Sequence, residues 1–556
     1  MVLGLNQDIK TDISIPGTTV LVGDVNEIKL LGLKEKKNND EIILIPQPSS
    51  DPNDPLNWSN LRKHLHFYTL VFFSLILAAS SNFVGPIYTT LVYSWDVSYN
   101  QLNTGGALTF LALAFSCLLC QPIASKFGRR PVYLFTSLIT ILSAVIFSCE
   151  NSYNGYIGYS ILVGAAAGPI DSLVEVSITD IFFLHQHGKY MGIYSLPLGL
   201  GSAFGPFIAG YADENLGYLW CGYLIIIICG SLLIFEIFFL EESAFNRVYE
   251  SKIEDKLLKV AMSNISNNDN DDENINLNSI NKITEKDTVV INNKLDESSS
   301  PSLNDNKIQP KTFLQRMKLF SINKDKKFSL ISIIANLKVI RYPAVLWCSF
   351  AYGMQICWLS LITVSESEFF MAPPYNFNGD SLGLLSLAMV IGSVIGCCYS
   401  SCSDYVQIYF TKKNNGIFEP EFRLTMLPLL IFVNIAGIFM YGLGPYYGVD
   451  WIVGAIGITL ISIALGGISS IGLTYVVECY PKQVVQTMTT ILFIRNLMGM
   501  VFTWVFQYWL DGIGVIATTS MLAGLCLVIN GSYIIIYIWG KNFRKFTQKW
   551  YEEATN

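Results

Sequence analysis

Two acidic residues, Asp171 and Glu175, stand inside a stretch of the sequence that is otherwise apolar. A spacing of four residues places both carboxylates on one face of a helix, one turn apart. Two carboxylates this close cannot easily both stay ionised in a medium of low dielectric constant. The pair is therefore a candidate site for a proton or for an organic cation such as a diamine. The alternative is a structural pair whose oxygens are satisfied by Ser172, Ser177 and Thr179.

Other charged residues lie in or at the ends of apolar stretches, where an unpaired charge is costly. Arg495 is the basic residue deepest in such a stretch, and we expect it to pair with a carboxylate or with backbone carbonyls rather than with a substrate. Glu478 is either an inner-gate residue or a plain interfacial acid. Glu366 either attracts a cation at the outer mouth or is a solvated loop acid. Glu236 is expected at the interface.

Aromatic side chains offer a second way to hold a cation. Tyr88 and Trp358 lie in apolar stretches, where a desolvated ammonium group over an aromatic ring gains ~2 kcal/mol. Aromatic residues make up 13% of the chain, so packing or lipid contact is the alternative role for each of them.

Twelve apolar segments position these residues. Each is close to the ~20 residues that a helix needs to cross a ~30 Å hydrocarbon core. From the first to the twelfth span, the predicted ranges are 67–92, 102–122, 132–149, 156–179, 190–211, 218–240, 344–365, 381–402, 425–443, 451–477, 485–508 and 514–540. With 51% hydrophobic and 14% charged residues, the composition excludes an ordinary soluble enzyme. The sequence predicts an all-α polytopic membrane protein.

The loops at the two ends of these spans differ in charge. Loops 93–101, 150–155, 212–217, 366–380, 444–450 and 509–513 contain no Lys or Arg. Their acids are Asp96, Glu150, Asp213, Glu214, Glu366, Glu368, Asp380, Asp450 and Asp511. The opposite loops and the C-terminal tail carry Lys126, Arg129, Arg130, Lys189, Lys412, Lys413, Arg423, Lys482, Lys541, Arg544 and Lys545. We call these the acidic end and the basic end. The positive-inside rule places the basic end and both termini in the cytoplasm.

The spans divide six and six around a long polar insert. The predicted organisation is a cytoplasmic segment 1–66, an N-terminal half 67–240, a cytoplasmic loop 241–343, a C-terminal half 344–540 and a tail 541–556. The loop is rich in Asn, Asp and Ser, and it buries too little apolar surface to offset its ordering entropy, so most of it is expected to be disordered. Two six-helix halves are typical of a secondary transporter with its substrate site near the midplane.

Several other protein classes are not supported by the sequence. It contains no phosphate-binding Gly-rich loop, metal-ligand cluster or nucleophile elbow, so we expect no enzyme, no ATP-driven pump, no cofactor and no metal. It has no basic patch interleaved with aromatics, so no nucleic acid is expected as a partner. The expected partners are a small cationic substrate, protons and membrane lipids, and the expected oligomeric state is a monomer.

The segment Pro122–Pro131, between the second and third spans, resembles the cytoplasmic loop motif of the major facilitator superfamily. Gly128 stands at the tight turn, and Arg129 and Arg130 follow it. In that family these arginines engage an acidic partner and latch the inner gate. The acid usually found three residues before the glycine is Ser125 here, which removes one expected ion pair. Simple positive-inside charges are the alternative.

The fifth span carries small residues at four-residue spacing, which lets helices approach closely. Gly201, Gly205 and Pro206 resemble the superfamily's antiporter motif, with Ala209 in place of one glycine. Proline can bend a span while the backbone polar groups that it frees still find hydrogen-bond partners within the protein. The motif indicates the fold more strongly than it indicates antiport, because a closely packed helix serves any carrier of this design.

Four further segments resemble fungal twelve-span drug:proton-antiporter-like carriers: Asp51–Ser59, Asn414–Leu424, Tyr475–Pro481 and Phe493–Asn496. The stretch around Gly168–Glu175 and the loop after the fourth span look most like the Hol branch of that family. This branch is associated with uptake of polyamines and other organic cations. The resemblance runs from about residue 51 to about residue 545, apart from the central loop.

The resemblance implies a plasma-membrane carrier of polyamine-like organic cations, coupled to the proton gradient and working by alternating access. Carriers of this superfamily often have an Arg four residues before the glycine of the fourth span. Here Ser160 precedes Gly164, and the loss of that positive charge favours a cationic substrate. One alternative is a multidrug:proton antiporter that exports amphipathic cations. An alternative of another class is a transport-inactive nutrient sensor, which the intramembrane acids disfavour.

Overall fold

The structure of the chain is a computed structural model that describes residues 16–17, 19–20, 35–36, 39–43, 51–150, 152–245, 312–319, 336–414 and 417–555. Most of the loop predicted to be disordered lies outside these residues. The described part of that loop includes one short helix, Phe313–Arg316.

The N-terminal half is helical throughout its spans. Its helices are Asn60–Asn82, Tyr88–Trp95, Tyr99–Phe127, Arg130–Cys149, Tyr153–Ser172, Val174–Ile181, Leu184–Leu216 and Leu219–Phe239. Local sequence explains several of their ends. Ser98 and Gln101 form a capping box at the start of the second span. Gly128 ends that span with φ of 100°, a backbone conformation that residues other than glycine rarely adopt.

The C-terminal half is built in the same way. Its helices are Pro343–Met371, Gly379–Ser401, Ser403–Lys413, Leu427–Tyr446, Trp451–Cys479, Val484–Gly531 and Tyr533–Thr555. The range Val484–Gly531 contains the eleventh span and most of the twelfth, since Gly514 breaks it with φ of 78°. The chain reverses at Gly514. This reversal brings the Thr518 hydroxyl to 3.2 Å from the Trp509 carbonyl, to which it donates.

Within the described residues, ten helical ranges are long and apolar enough to cross a membrane. The last of them, Pro481–Glu553, contains the reversal at Gly514 and therefore two crossings. The helix Leu184–Leu216, with 33 residues, is not among the ten but is long enough to cross as well. Together they give the twelve spans, and the predicted all-helical fold in two six-helix halves is confirmed.

The buried apolar residues are divided differently at the two ends of the bundle. At the acidic end, one hydrophobic cluster contains residues of both halves, among them Ile87, Leu102, Trp358, Leu382 and Leu510. At the basic end, one cluster comes from the N-terminal half and its flanks, and a separate cluster comes from the C-terminal half and its flanks. The two halves are therefore packed against each other at the acidic end.

Small residues of the fifth span permit close approach of neighbouring helices, as the sequence predicts. A Cβ at Gly201 would lie 2.5 Å from the Leu75 carbonyl oxygen, and one at Gly205 would lie 2.3 Å from that of Ala79. Both glycines therefore press the fifth span onto the first, and Pro206 stands in the same helix. Gly210 meets the Gly379 backbone of the other half equally closely.

Replacing Gly205 with valine is therefore expected to destabilise the protein. The new side chain would collide with backbone, and overpacking of this kind costs about 1–3 kcal/mol. Gly230→Val is the matched control, since a Cβ there would meet nothing within 4 Å. Thermal stability in detergent, followed by fluorescence-detected size-exclusion chromatography, measures both variants. Equal melting temperatures would contradict the close contact.

Candidate substrate and proton site

Asp171 of the fourth span is joined to Arg495 of the eleventh span by an ion pair. The pair connects the two halves of the protein. Its side chains are largely buried, with exposed fractions of 16% for Asp171 and 4% for Arg495. The expectation that Arg495 pairs with a carboxylate is confirmed.

The remaining donors of Arg495 are also engaged. Its Nε donates to the Asn496 side-chain oxygen at 3.0 Å, and Nη1 donates to the Tyr352 hydroxyl at 2.7 Å. The guanidinium carbon also lies 4.7 Å from the centre of the Tyr352 ring, within the range of a cation–π contact. A cation held this way is fixed in position, which suits a structural pair rather than a substrate contact.

Glu175 differs from Asp171 in its surroundings. It is half-buried, and among the side chains that the structure describes it has no hydrogen-bond or ion-pair partner. The fourth span is divided at Leu173, between the two acids, although the charge of Asp171 still acts on Glu175. Glu175 is thus the carboxylate of the pair that is left available for a cation or a proton.

The hydroxyls that might have satisfied the pair are used elsewhere. The Ser172 hydroxyl donates to the Gly168 carbonyl at 2.8 Å, and the Thr179 hydroxyl donates to that of Val176 at 2.8 Å. The Ser177 hydroxyl donates to its own helix and also bonds the Tyr133 hydroxyl. The interpretation of a carboxylate pair satisfied by these neighbours is therefore wrong.

Ser160 does not leave the site without a positive charge, contrary to the prediction. The fourth span lacks its usual arginine, but Arg495 supplies a positive charge to Asp171 from the other half. With all three groups ionised, two carboxylates and one guanidinium leave a single uncompensated negative charge. Asp171 and Glu175 are also not the only deep acids among the described residues, as Glu236 and Glu366 show below.

Glu366 is not at an outer mouth. The seventh span continues to Met371, so Glu366 lies inside the helix, with its side chain 1% exposed. The Ser386 hydroxyl donates to its two carboxylate oxygens at 3.2 and 3.4 Å. The alternative of a solvated loop acid is therefore wrong, and Glu366 does not lie in a loop at the outer mouth, while its role in binding a cation or proton stays a prediction. Glu236 is likewise fully buried, although it lies within one turn of the end of its helix at Phe239.

The two candidate aromatic residues are packing residues in this structure. The Tyr88 hydroxyl bonds the Tyr156 hydroxyl at 3.1 Å, and its ring is buried in the cluster at the acidic end. Trp358 lines a small apolar cavity of the C-terminal half, together with Tyr441 and Phe506. Neither is hydrogen-bonded to the central carboxylates in this arrangement, and a cation-binding role of either residue stays a prediction.

The arginines that follow Gly128 are engaged within the N-terminal half. Arg129 forms a 2.5 Å ion pair with Asp180, at the basic end of the fourth span. Backbone N–H groups of Arg129 and Arg130 donate to the two oxygens of Glu242, at 2.9 and 3.2 Å. Asp180 and Glu242 thus provide the acidic partners that Ser125 does not. The role of Arg129 and Arg130 as a latch of the inner gate and the alternative of simple positive-inside charges both stay predictions.

Glu478 has an equivalent role in the C-terminal half. It forms a 2.7 Å ion pair with Arg423 and accepts a hydrogen bond from Gln407 at 3.0 Å. Arg423 also pairs with Asp404 at 2.7 Å. Glu478 is therefore an ion-paired acid near the end of the tenth span, and both its gating role and the alternative of a plain interfacial acid stay predictions.

Several residues of these networks were missed by sequence reasoning. They are Tyr352, Asp180, Glu242, Arg423 and Asp404. The acids and Arg423 look like ordinary loop charges, and Tyr352 is one of 29 tyrosines. No short-range pattern links Tyr352 to Arg495, which is 143 positions away along the chain.

Comparisons with known proteins agree with this architecture. The sequence model of the Major Facilitator Superfamily matches residues 70–503. An uncharacterized MFS-type transporter of Schizosaccharomyces pombe is 28% identical over 552 residues, covering 98% of this chain and 94% of that protein. Protein HOL1 of Saccharomyces cerevisiae is 28% identical over 554 residues, covering 94% of both chains.

A solved structure shows the same fold. The human organic anion transporter MFSD10 matches with a TM-score of 0.50 at 15% identity, over 85% of this chain and 99% of that one. The family match covers well over half of the chain and includes both halves. The protein is therefore a membrane transporter of the major facilitator superfamily.

Proposed function

We propose that this protein carries organic cations, polyamine-like in type, by proton-coupled alternating access. In this proposal it acts as a monomer in the plasma membrane with both termini in the cytoplasm. The observation that carries the proposal is Glu175, an available carboxylate beside an ion pair that joins the two halves. The resemblance to the Hol branch supplies the substrate class.

The charges at the site support binding of one positive charge at a time. Because Arg495 neutralises Asp171, an incoming ammonium group first meets Glu175. A second ammonium group of a polyamine then competes with Arg495 for Asp171. A proton on Glu175 removes the one uncompensated charge, so a proton and an ammonium group exclude each other there. Exclusion on Glu175 alone gives exchange of the two ions, so proton-driven uptake requires the proton on Glu175 and the ammonium group on Asp171 in place of Arg495.

The packing of the halves supports a rocking movement about this site. In the present arrangement the shared hydrophobic cluster closes the acidic end, and the clusters at the basic end are separate. In the proposal, the carboxylates are reached from the basic end, the proposed cytoplasmic side. Opening the acidic end requires the halves to separate, and a substrate that displaces Arg495 from Asp171 weakens one tie between them.

Export of amphipathic cations by proton antiport is the second candidate function. The same single available carboxylate favours it, because two ions that compete for one group are naturally exchanged. A transport-inactive sensor is not favoured, since an unpartnered intramembrane carboxylate is costly to retain without a use.

Uptake of radiolabelled spermidine by intact cells tests the proposal. We expect expressing cells to take up more than a null strain, faster at about pH 5 than at about pH 7.5, with loss of the difference on adding an uncoupler. The acids of the acidic end attract cations, and their field is screened over ~8 Å at physiological ionic strength. Uptake at limiting substrate should therefore fall in high salt.

The outcome also separates the two candidate functions. Energised cells that retain less substrate than the null strain would support export and contradict uptake. Equal retention under every condition, with the protein present in the plasma membrane, would contradict both.

A further inference from the structure

The eighth span presents a continuous exposed face that ends in cysteines. Exposed apolar side chains recur at Ile391, Val394 and Ile395, and the exposed residues Cys398 and Cys402 continue the same face. Intervals of three and four residues keep side chains on one side of a helix. These side chains point away from the rest of the protein and therefore face lipid.

The depth of the two cysteines follows from helix geometry. The span begins at Gly379, at the acidic end. At ~1.5 Å per residue, Cys398 lies about 29 Å and Cys402 about 35 Å further along the helix axis. The hydrocarbon core is ~30 Å thick, so both thiols lie at the membrane boundary of the basic end.

A second helix continues the exposed face beyond Cys402. In Ser403–Lys413, Tyr405, Ile408 and Tyr409 are 77%, 50% and 64% exposed. The opposite side of the helix is buried against the protein through Ser403, Gln407 and Thr411. An apolar exposed face of this kind is typical of a helix that lies at a membrane surface.

The other cysteines are placed differently. Cys117, Cys120, Cys221, Cys229, Cys348, Cys357, Cys479 and Cys526 are buried, and Cys397 is half-buried. The remaining exposed cysteine, Cys149, ends the third span at the acidic end. Two exposed thiols therefore stand together at the lipid boundary of the end that the positive-inside rule assigns to the cytoplasm.

We propose that Cys398 and Cys402 are sites of S-acylation by long-chain fatty acids. Juxtamembrane cysteines are the usual targets of this reversible modification. The acyl donor is a long-chain acyl-coenzyme A on the cytoplasmic side. The cysteine sulfur bonds to the acyl carbon, the bond from that carbon to the coenzyme A sulfur breaks, and the thiol proton passes to coenzyme A. One thioester replaces another, so no oxidant or reductant is required.

The position of these sites gives the modification a structural consequence. The helix that follows Cys402 supplies Ser403, Asp404 and Gln407, which all bind Arg423. Arg423 in turn holds Glu478 at the end of the tenth span. An acyl chain inserted beside Tyr405 would hold this helix on the membrane and so support the ion-pair network. The proposal is independent of which substrate is carried.

Acyl–polyethylene-glycol exchange on the full-length protein from membranes tests the proposal. Free thiols are blocked, thioesters are cleaved with hydroxylamine, and the released thiols receive a mass tag. We expect hydroxylamine-dependent tags in the parent protein, fewer tags in Cys398→Ser and in Cys402→Ser, and none in the double variant. Cys149→Ser is the matched control and should keep every tag.

Three outcomes would overturn the proposal. They are a parent protein without hydroxylamine-dependent tags, a double variant that keeps them, and loss of tags in Cys149→Ser. Orientation is tested separately with a membrane-impermeant maleimide on intact cells. It should label Cys149, and labelling of Cys398 or Cys402 after hydroxylamine treatment would place these sites outside the cell and contradict the acyl donor.

Discussion

Glu175→Gln is expected to abolish cation transport while leaving the protein folded and at the cell surface. Glutamine keeps the shape of the side chain but cannot carry the negative charge that attracts an ammonium group or accept the coupled proton. A hydrogen bond to a charged group contributes about 1.5–3 kcal/mol, so substrate affinity should fall about 10- to 100-fold. Initial uptake rates over a range of spermidine concentrations, normalised to surface protein, measure the effect.

Glu366→Gln is the matched control for this variant. It makes the same chemical change at a buried acid that bonds Ser386 inside the C-terminal half, and glutamine can keep a hydrogen bond with that hydroxyl. Transport should therefore largely persist. Parental transport by Glu175→Gln would show that the available carboxylate does not bind the substrate. Equal loss in both variants would indicate a structural effect of neutralising any buried acid.

Breaking the Asp171–Arg495 pair is expected to destabilise the protein. Removing one partner of a buried ion pair leaves an uncompensated charge and costs about 3–5 kcal/mol. Asp171→Asn and Arg495→Gln should each lower the melting temperature of the detergent-solubilised protein. Asp171→Asn should also lose transport, and this loss should be accompanied by loss of stability, unlike that of Glu175→Gln.

The double variant Asp171→Asn/Arg495→Gln tests whether the two side chains stabilise the protein through their interaction or independently. It removes both charges, and neutral side chains can still bond each other and Tyr352. Its melting temperature should therefore exceed that of either single variant. Transport should stay low, because the ion pair that the substrate displaces is absent. A double variant as unstable as the sum of both singles would show that the two side chains do not interact.

Much of the fold could be predicted from the sequence because membrane burial is a local property. A helix must satisfy its own backbone groups in lipid, so each span is encoded by about 20 consecutive residues. All twelve predicted spans correspond to helices, and Gly128, Gly201 and Gly205 perform the tight turn and close contacts that their motif positions indicate. The helices extend beyond the predicted ranges, as in Leu184–Leu216, since polar residues continue a helix outside the apolar core.

The site was predicted only in part. The sequence identified Asp171, Glu175 and Arg495 as charges that are energetically unfavourable in a membrane, because this free-energy cost follows from the residue type and its depth alone. It could not show that Arg495 and Asp171, 324 positions apart, neutralise each other. It also placed Glu366 in a loop, because the end of a helix cannot be located to within one turn from an apolar pattern.

The sequence by itself determined that this protein crosses the membrane twelve times and carries uncommon charges within its spans. The tertiary structure decided which of those charges are compensated. Arg495 is paired with Asp171, Glu366 is bonded to Ser386, and Glu175 is left available. The reason is physical: hydropathy acts on each segment separately, whereas compensation of a charge depends on which side chains of other segments come within a few ångströms of it.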